Sequence, residues 1–238
     1  MGVRLGRLAT AFVVLAILAG VVAWNVTPPA DDVQARVANR AATLGVPVLP
    51  PGAVPRMLAD AIVATEDERF YEHRGIDGIG LIRAGLDDIA NGCLCEGGST
   101  LTEQLVKAVY LGGSDRGVAK AVDAIVAFKT ETVIDKKRIM ADWMTLAPTG
   151  ANLYGMAPSA CVYFGKPLGS LDLAEYALLA GLPQAPSADD PRTNPANAAR
   201  RRSEVLAAML GHRLISRSQA EAARAEPLRP AQAGRCQT

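Results

Sequence analysis

Glu66 is the residue around which chemistry could be built. In the run that leads into TEDERFYEHRGID (65–77), Leu58, Ile62, Glu66 and Phe70 recur at four-residue intervals, so on a helix they line one face. That sets a carboxylate into an apolar stripe, where loss of water raises its pKa and suits it to accept or give a proton near neutral pH. A salt-bridged carboxylate at a helix boundary is the other reading of the same spacing.

A second constellation follows. The loop NGCLCEGG (91–98) ends in two glycines directly before Ser99 and Thr100. Thr100 with Glu103 makes a capping box, which predicts a helix starting there and carrying Gln104 and Lys107 on adjacent turns. Glycines let the backbone approach a ligand, the open amides of a helix N-terminus attract anions such as phosphate, and Lys107 adds positive charge. GGST taken alone also starts many ordinary helices. Lys120 and Asp123 share a side of a helix predicted over 118–132, a spacing that by itself reads as a surface ion pair.

These groups need a scaffold. The chain has 238 residues, half of them apolar, and a formal charge of +1, enough for one well-cored domain or two small lobes and too neutral to point to a nucleic-acid partner. Aromatic residues and alternating β-branched runs are scarce, whereas Ala, Leu, Glu and Arg recur at helical spacing, so the fold class expected is mainly α. A helix from Pro55 stops before Gly75, and a second covers 79–90. Asp135 opens another, with Ile139, Trp143 and Met144 inward, and its Lys136–Arg138 run forms a solvated face or leans on anionic lipid. The glycines and prolines of 148–169 predict irregular chain with at most short helical pieces. Asp172 with Glu175 caps a further helix, Asn194 and Pro195 start a long one carrying Arg200, Arg201 and Arg202, and Ser216 starts the last.

The N-terminus stands apart. Arg4 and Arg7 precede an apolar run from Leu8 to Trp24, at the lower limit for spanning a bilayer, and the positive flank puts the body of the protein on the outer side. A cleaved signal peptide with Val21 and Ala23 at its small-residue site is the competing reading. The expected layout is a cytoplasmic start and anchor over 1–27, a Pro-rich stalk over 28–53 and one domain over 54–238. Cys93, Cys95, Cys161 and Cys236 suit an oxidising compartment, with one of the first two expected to pair with Cys161 or Cys236; no His cluster completes a metal site.

EDERFYEHRGID, then GGSTLTEQLVK, YFGK, LAEYALLAGLPQAPS and the Arg-rich helix together resemble the transglycosylase domain of peptidoglycan glycosyltransferases, glycosyltransferase family 51, over about Val54 to Leu228. The resemblance implies a lysozyme-like, two-lobed helical domain behind an N-terminal transmembrane helix in the inner membrane, facing the periplasm and without a transpeptidase domain. It implies polymerisation of lipid II into β-1,4-linked glycan strands with release of undecaprenyl pyrophosphate. The partners implied are lipid II, the growing glycan chain, membrane lipid and other cell-wall synthesis proteins; Mg²⁺ is the divalent ion implied at the pyrophosphate, and no organic cofactor is.

Carried over by position, Glu66 matches the general base, and Asp67, Phe70, His73, Gly75 and Asp77 match its motif. Ser99, Thr100, Gln104 and Lys107 match the donor-binding motif, and Arg116 and Lys120 resemble the basic residues that hold the pyrophosphate. Asp123 stands where the family has a second catalytic glutamate, one methylene shorter. Ala119 replaces an arginine, Ala108 an asparagine, and WMT at 143–145 the usual YLN. The other readings left open are a non-catalytic lipid II or glycan binder and a lytic muramidase-like hydrolase.

Overall fold

Helical periodicity dominates the chain and governs its structure. The computed structural model describes residues 2–83, 98–110 and 118–228. Ten helices are named here: α1 Gly2–Val26, α2 Val33–Leu44, α3 Arg56–Glu66, α4 Leu101–Val109, α5 Val118–Val133, α6 Lys136–Leu146, α7 Met156–Phe164, α8 Leu173–Gly181, α9 Pro195–Gly211 and α10 Arg217–Ala225. Residues 78–83 are helical as well. The described residues hold one antiparallel ribbon, β1 Pro148–Gly150 with β2 Leu153–Tyr154. The expected mainly α class is what the chain forms.

The core forms where α3 packs between α8 and α9. Leu58, Ile62, Leu178, Leu179, Val205 and Leu206 are all fully buried there, each removing about 1.5–3 kcal/mol of apolar surface from water. A second layer sets α4 against α5 and α6, with Val106, Val126 and Ala127 as a small separate apolar cluster. The end of α3 is joined to the start of α4 by hydrogen bonds from Gln104 to Glu66 and from Leu101 N to Asp67.

Several expectations need correction. The first domain helix ends at Glu66 rather than running towards Gly75, so Phe70 lies in the turn that follows and is buried from there. The glycine- and proline-containing stretch forms the nine-residue helix α7, because Gly155 and Gly165, both at positive φ, serve as its ends and Pro158 sits in its first turn, where no helical N–H is needed. The segment expected as a stalk is built into the domain: Val37, Ala41 and Leu49 belong to the main core, and Gln34 donates to Asp142 at 2.7 Å. Cys161 is disulfide-bonded, and the other three cysteines lie outside the described residues, as does 84–90 of the helix expected there.

The N-terminal run is a helix of 25 residues, with Phe12, Leu15, Ile17 and Leu18 exposed along it. Among the described residues no helix is long and apolar enough to cross a membrane. The end of α1 is tied to the domain by Lys129, a buried ammonium on α5. It donates to Trp24 O at 2.6 Å, Thr27 O at 3.0 Å and Thr27 Oγ1 at 2.8 Å, and lies 4.9 Å from the Trp24 ring centroid. A cation on the last carbonyls of a helix also matches the negative end of its dipole.

Candidate active site

Glu66 is the last residue of α3, and its side chain is 14% exposed. Its Oε2 accepts a hydrogen bond from Gln104 Nε2 at 3.1 Å, and its Oε1 lies 3.9 Å from Arg201 Nη2. Burial pushes the carboxyl above its ordinary value, with neighbouring Asp67 adding to the rise; the Gln104 hydrogen bond and the Arg201 charge oppose it. The group is therefore a carboxylate that is held, yet basic for its kind.

The helix stops here because the next residue is claimed from elsewhere. Asp67 leaves helical geometry, and its buried carboxylate accepts the backbone N–H of Leu101 at 3.0 Å and meets His73 Nε2 at 2.9 Å. Leu101 is the first residue of α4, whose open amides Asp67 thus caps in part. Thr100 completes the cap as its sequence predicts: its hydroxyl accepts from Glu103 N at 3.1 Å and its own N–H donates to Glu103 Oε2 at 2.8 Å. The Thr100 hydroxyl also donates to Gly75 O at 2.6 Å. Gly75 has φ +74°, and a Cβ there would lie 2.5 Å from Phe128 N, so only glycine lets this turn rest on α5.

One turn into α4, Gln104 bridges two partners. Its amide donates to Glu66, and its carbonyl accepts from the Trp143 indole on α6 at 3.0 Å. A cleft of about 1190 Å³ opens in front, walled by Glu66, Asp67, Ser99, Thr100, Gln104 and Lys107, with Arg40 and Tyr110 also lining it. Ser99, Gln104 and Lys107 also line an adjoining pocket of about 170 Å³, with Glu103, Lys120 and Asp123. The structure thus brings Glu66, Asp67, Ser99, Thr100, Gln104 and Lys107 to one cleft and sets Lys120 and Asp123 in the pocket that shares its wall. Arg116 lies outside the described residues.

Asp123 is buried, its Oδ1 has no hydrogen-bond partner among the described residues, and burial raises its pKa against the pull of Lys107. Among the described residues no cluster of three or more His, Cys, Asp or Glu forms a metal site. An orphaned carboxylate oxygen in a pocket that Lys107 and Lys120 also line fits the way Mg²⁺ binds, through one or two protein carboxylates together with substrate phosphates.

Arg201 was not singled out from the sequence. Its Nε donates to Gly181 O at 2.9 Å, and the side chain packs so closely that a Cβ on Gly181 would meet its Cγ at 2.7 Å. Arg201 and Arg202 lie four residues before the buried Val205 and Leu206, a spacing that turns both inward.

A basic, half-dry carboxylate facing a cleft that α4 lines with Gln104 and, in its last turn, Lys107 suits proton transfer beside an anionic group. Residues 38–210 match the family model described as Transglycosylase, and the chain belongs to this family, the peptidoglycan glycosyltransferases. A Cupriavidus necator protein whose name assigns it provisionally to the transglycosylases is 42% identical over 181 residues, covering 76% of this chain and 78% of that protein. Penicillin-binding protein 1A of Haemophilus influenzae is 39% identical over 175 residues, and that of Vibrio cholerae 38% over 177. The chain spans 20% and 22% of those two proteins. A crystal structure of the Haemophilus influenzae protein matches 79% of this chain and 18% of its own with a TM-score of 0.49 and 24% identity.

Proposed function

We propose that this chain polymerises lipid II, with Glu66 as the base. The Glu66 carboxylate takes the proton from the 4-hydroxyl of the acceptor sugar as that oxygen attacks the donor's anomeric carbon. The bond to the lipid diphosphate breaks, its electron pair leaves with the diphosphate, and a β-1,4 link forms. Lys107 and Lys120 meet the charge that builds on the leaving group, and Ser99 and Gln104 hold the donor, with Thr100 fixing the turn between them. The observation that carries this reading is the Glu66 to Gln104 hydrogen bond, which sets the base against the wall of the anion cradle. Asp123 would hold a Mg²⁺ ion carried in on the diphosphate, where the ion would offset phosphate charge; no organic cofactor is needed.

The architecture that goes with this reading is a lysozyme-like, two-lobed domain facing the periplasm. The exposed apolar side chains of α1 and the arginines before them support an anchor in the inner membrane. We take the enzyme to be monofunctional, working beside other cell-wall synthesis proteins. The departures at Ala108, Ala119 and Asp123 favour one second reading, a domain that binds lipid II and turns over poorly. Labelled lipid II with Mg²⁺ separates them: long glycan supports the transferase, binding without polymer supports the second reading, and cleavage of sacculi without polymer would replace both with a hydrolase.

A further inference from the structure

We propose that Trp143 is a positioning residue that locks the Gln104 side-chain amide in one orientation and so holds Glu66 as a proton acceptor rather than a proton donor. The inference rests on the role proposed above for Glu66. An indole N–H can only donate, so the Gln104 atom it meets at 3.0 Å must be the carbonyl oxygen. The amide NH₂ then points the other way, to Glu66 Oε2 at 3.1 Å. An NH₂ group also can only donate, and it favours the ionised carboxylate. Were the amide reversed, its oxygen would face Glu66 and favour the protonated carboxyl, the form that gives a proton to a leaving group. Trp143 therefore selects between two opposite uses of one glutamate.

The indole is well placed to do this. It is 4% exposed, packed in the main core on α6, and α6 lies against α4. A phenol at this position, as in the YLN run that WMT replaces, could donate or accept and would leave both amide orientations open. The other charges around Glu66 do not depend on Trp143. Arg201 on α9 lies at 3.9 Å, Asp67 follows in the chain, and Glu68, Asp77, Arg83 and Lys107 line the same cleft. On α8, which also packs on α3, Glu175 is engaged by Lys166.

The test uses the full chain in detergent micelles, with the Glu66 carboxyl followed by ¹³C NMR and assigned through Glu66→Gln, alongside lipid II polymerisation against pH. In Trp143→Phe the Glu66 titration and the acid limb of the rate should both move up by about half to one pH unit, with the rate recovered at higher pH. Below that limb the variant should therefore lose about three- to tenfold in rate. Gln104→Met should raise the Glu66 titration similarly, and adding Trp143→Phe to it should change nothing further, since both act through one hydrogen bond. Should Trp143→Phe fail to fold by circular dichroism, Trp143→Met, which also has no N–H or O–H to donate, replaces it with the same expected direction. A folded Trp143 variant in which Glu66 titrates as in the wild type, or shifts that add in the double variant, would overturn the proposal. A wild type that makes no polymer would refute the function proposed above, while the NMR titration would still decide the role of Trp143.

Discussion

The Asp67 carboxylate accepts the backbone N–H of Leu101 at 3.0 Å, so the residue that follows Glu66 is pinned to the first turn of α4, the helix that lines the cleft with Gln104 and Lys107. His73 holds the same carboxylate from the other side at 2.9 Å. The separation between Glu66 and the cradle is therefore set by buried hydrogen bonds and does not depend on a bound ligand.

Replacing Asp67 with alanine leaves two buried donors without an acceptor. We expect a loss of about 2–4 kcal/mol in unfolding free energy, read from denaturant titration, together with a fall in polymerisation. Asp67→Asn keeps one acceptor oxygen and should lose less. An unchanged unfolding midpoint in Asp67→Ala would contradict the pinning role.

Gly75 is the contact on which the turn rests against α5. Gly75→Ala adds strain at φ +74° and drives a methyl into the Ala127–Phe128 peptide, which should cost about 2–5 kcal/mol. It also displaces the carbonyl that receives the Thr100 hydroxyl. Thermal unfolding of the variant should begin well below the wild-type midpoint.

Glu66 has a raised pKa, so the base is present above that pKa and lost as pH falls through it. The acid limb of the rate profile should lie above the ordinary glutamate range and vanish as a distinct limb in Glu66→Gln. A group raised on folding contributes stability below its unfolded pKa and loses it as pH rises through the folded one. Above its folded pKa the ionised Glu66 is thus a net burden on the fold. Glu66→Gln should melt higher than the wild type there, with the difference shrinking in mild acid.

Asp123 sits in the small pocket behind the cradle with one oxygen unpartnered. Lengthening it, Asp123→Glu, should leave turnover unchanged or raise it, and Asp123→Asn should lower both turnover and its dependence on Mg²⁺. A collapse of activity in Asp123→Glu would show that Asp123 does not stand in the place of the family's second glutamate.

Local signals in the sequence are legible where local chemistry decides the outcome. The T-x-x-E box at Thr100 and the D-x-x-E box at Asp172 both form as the residues predict. Tertiary contacts decided the rest. Nothing in residues 65–77 announces that Asp67 will be taken by an amide 34 residues away, so the sequence alone predicts a helix that continues past Glu66. Val33, Val37 and Ala41 follow a helical stripe that marks α2 as part of the core, but the flanking prolines outweighed it. The run Arg200 to Arg202 resembles a solvated face until it is set in register with Val205 and Leu206. The stripe was there to be read, although that Arg201 would reach Glu66 was not.

The most direct measurement is polymerisation of labelled lipid II by the purified, folded protein and by Glu66→Gln, with Mg²⁺ and under identical conditions. Long glycan from the wild type and a loss of about a hundredfold or more in the variant is the predicted result. Glycan made by a folded Glu66→Gln at the wild-type rate would contradict the assignment of Glu66 as the base.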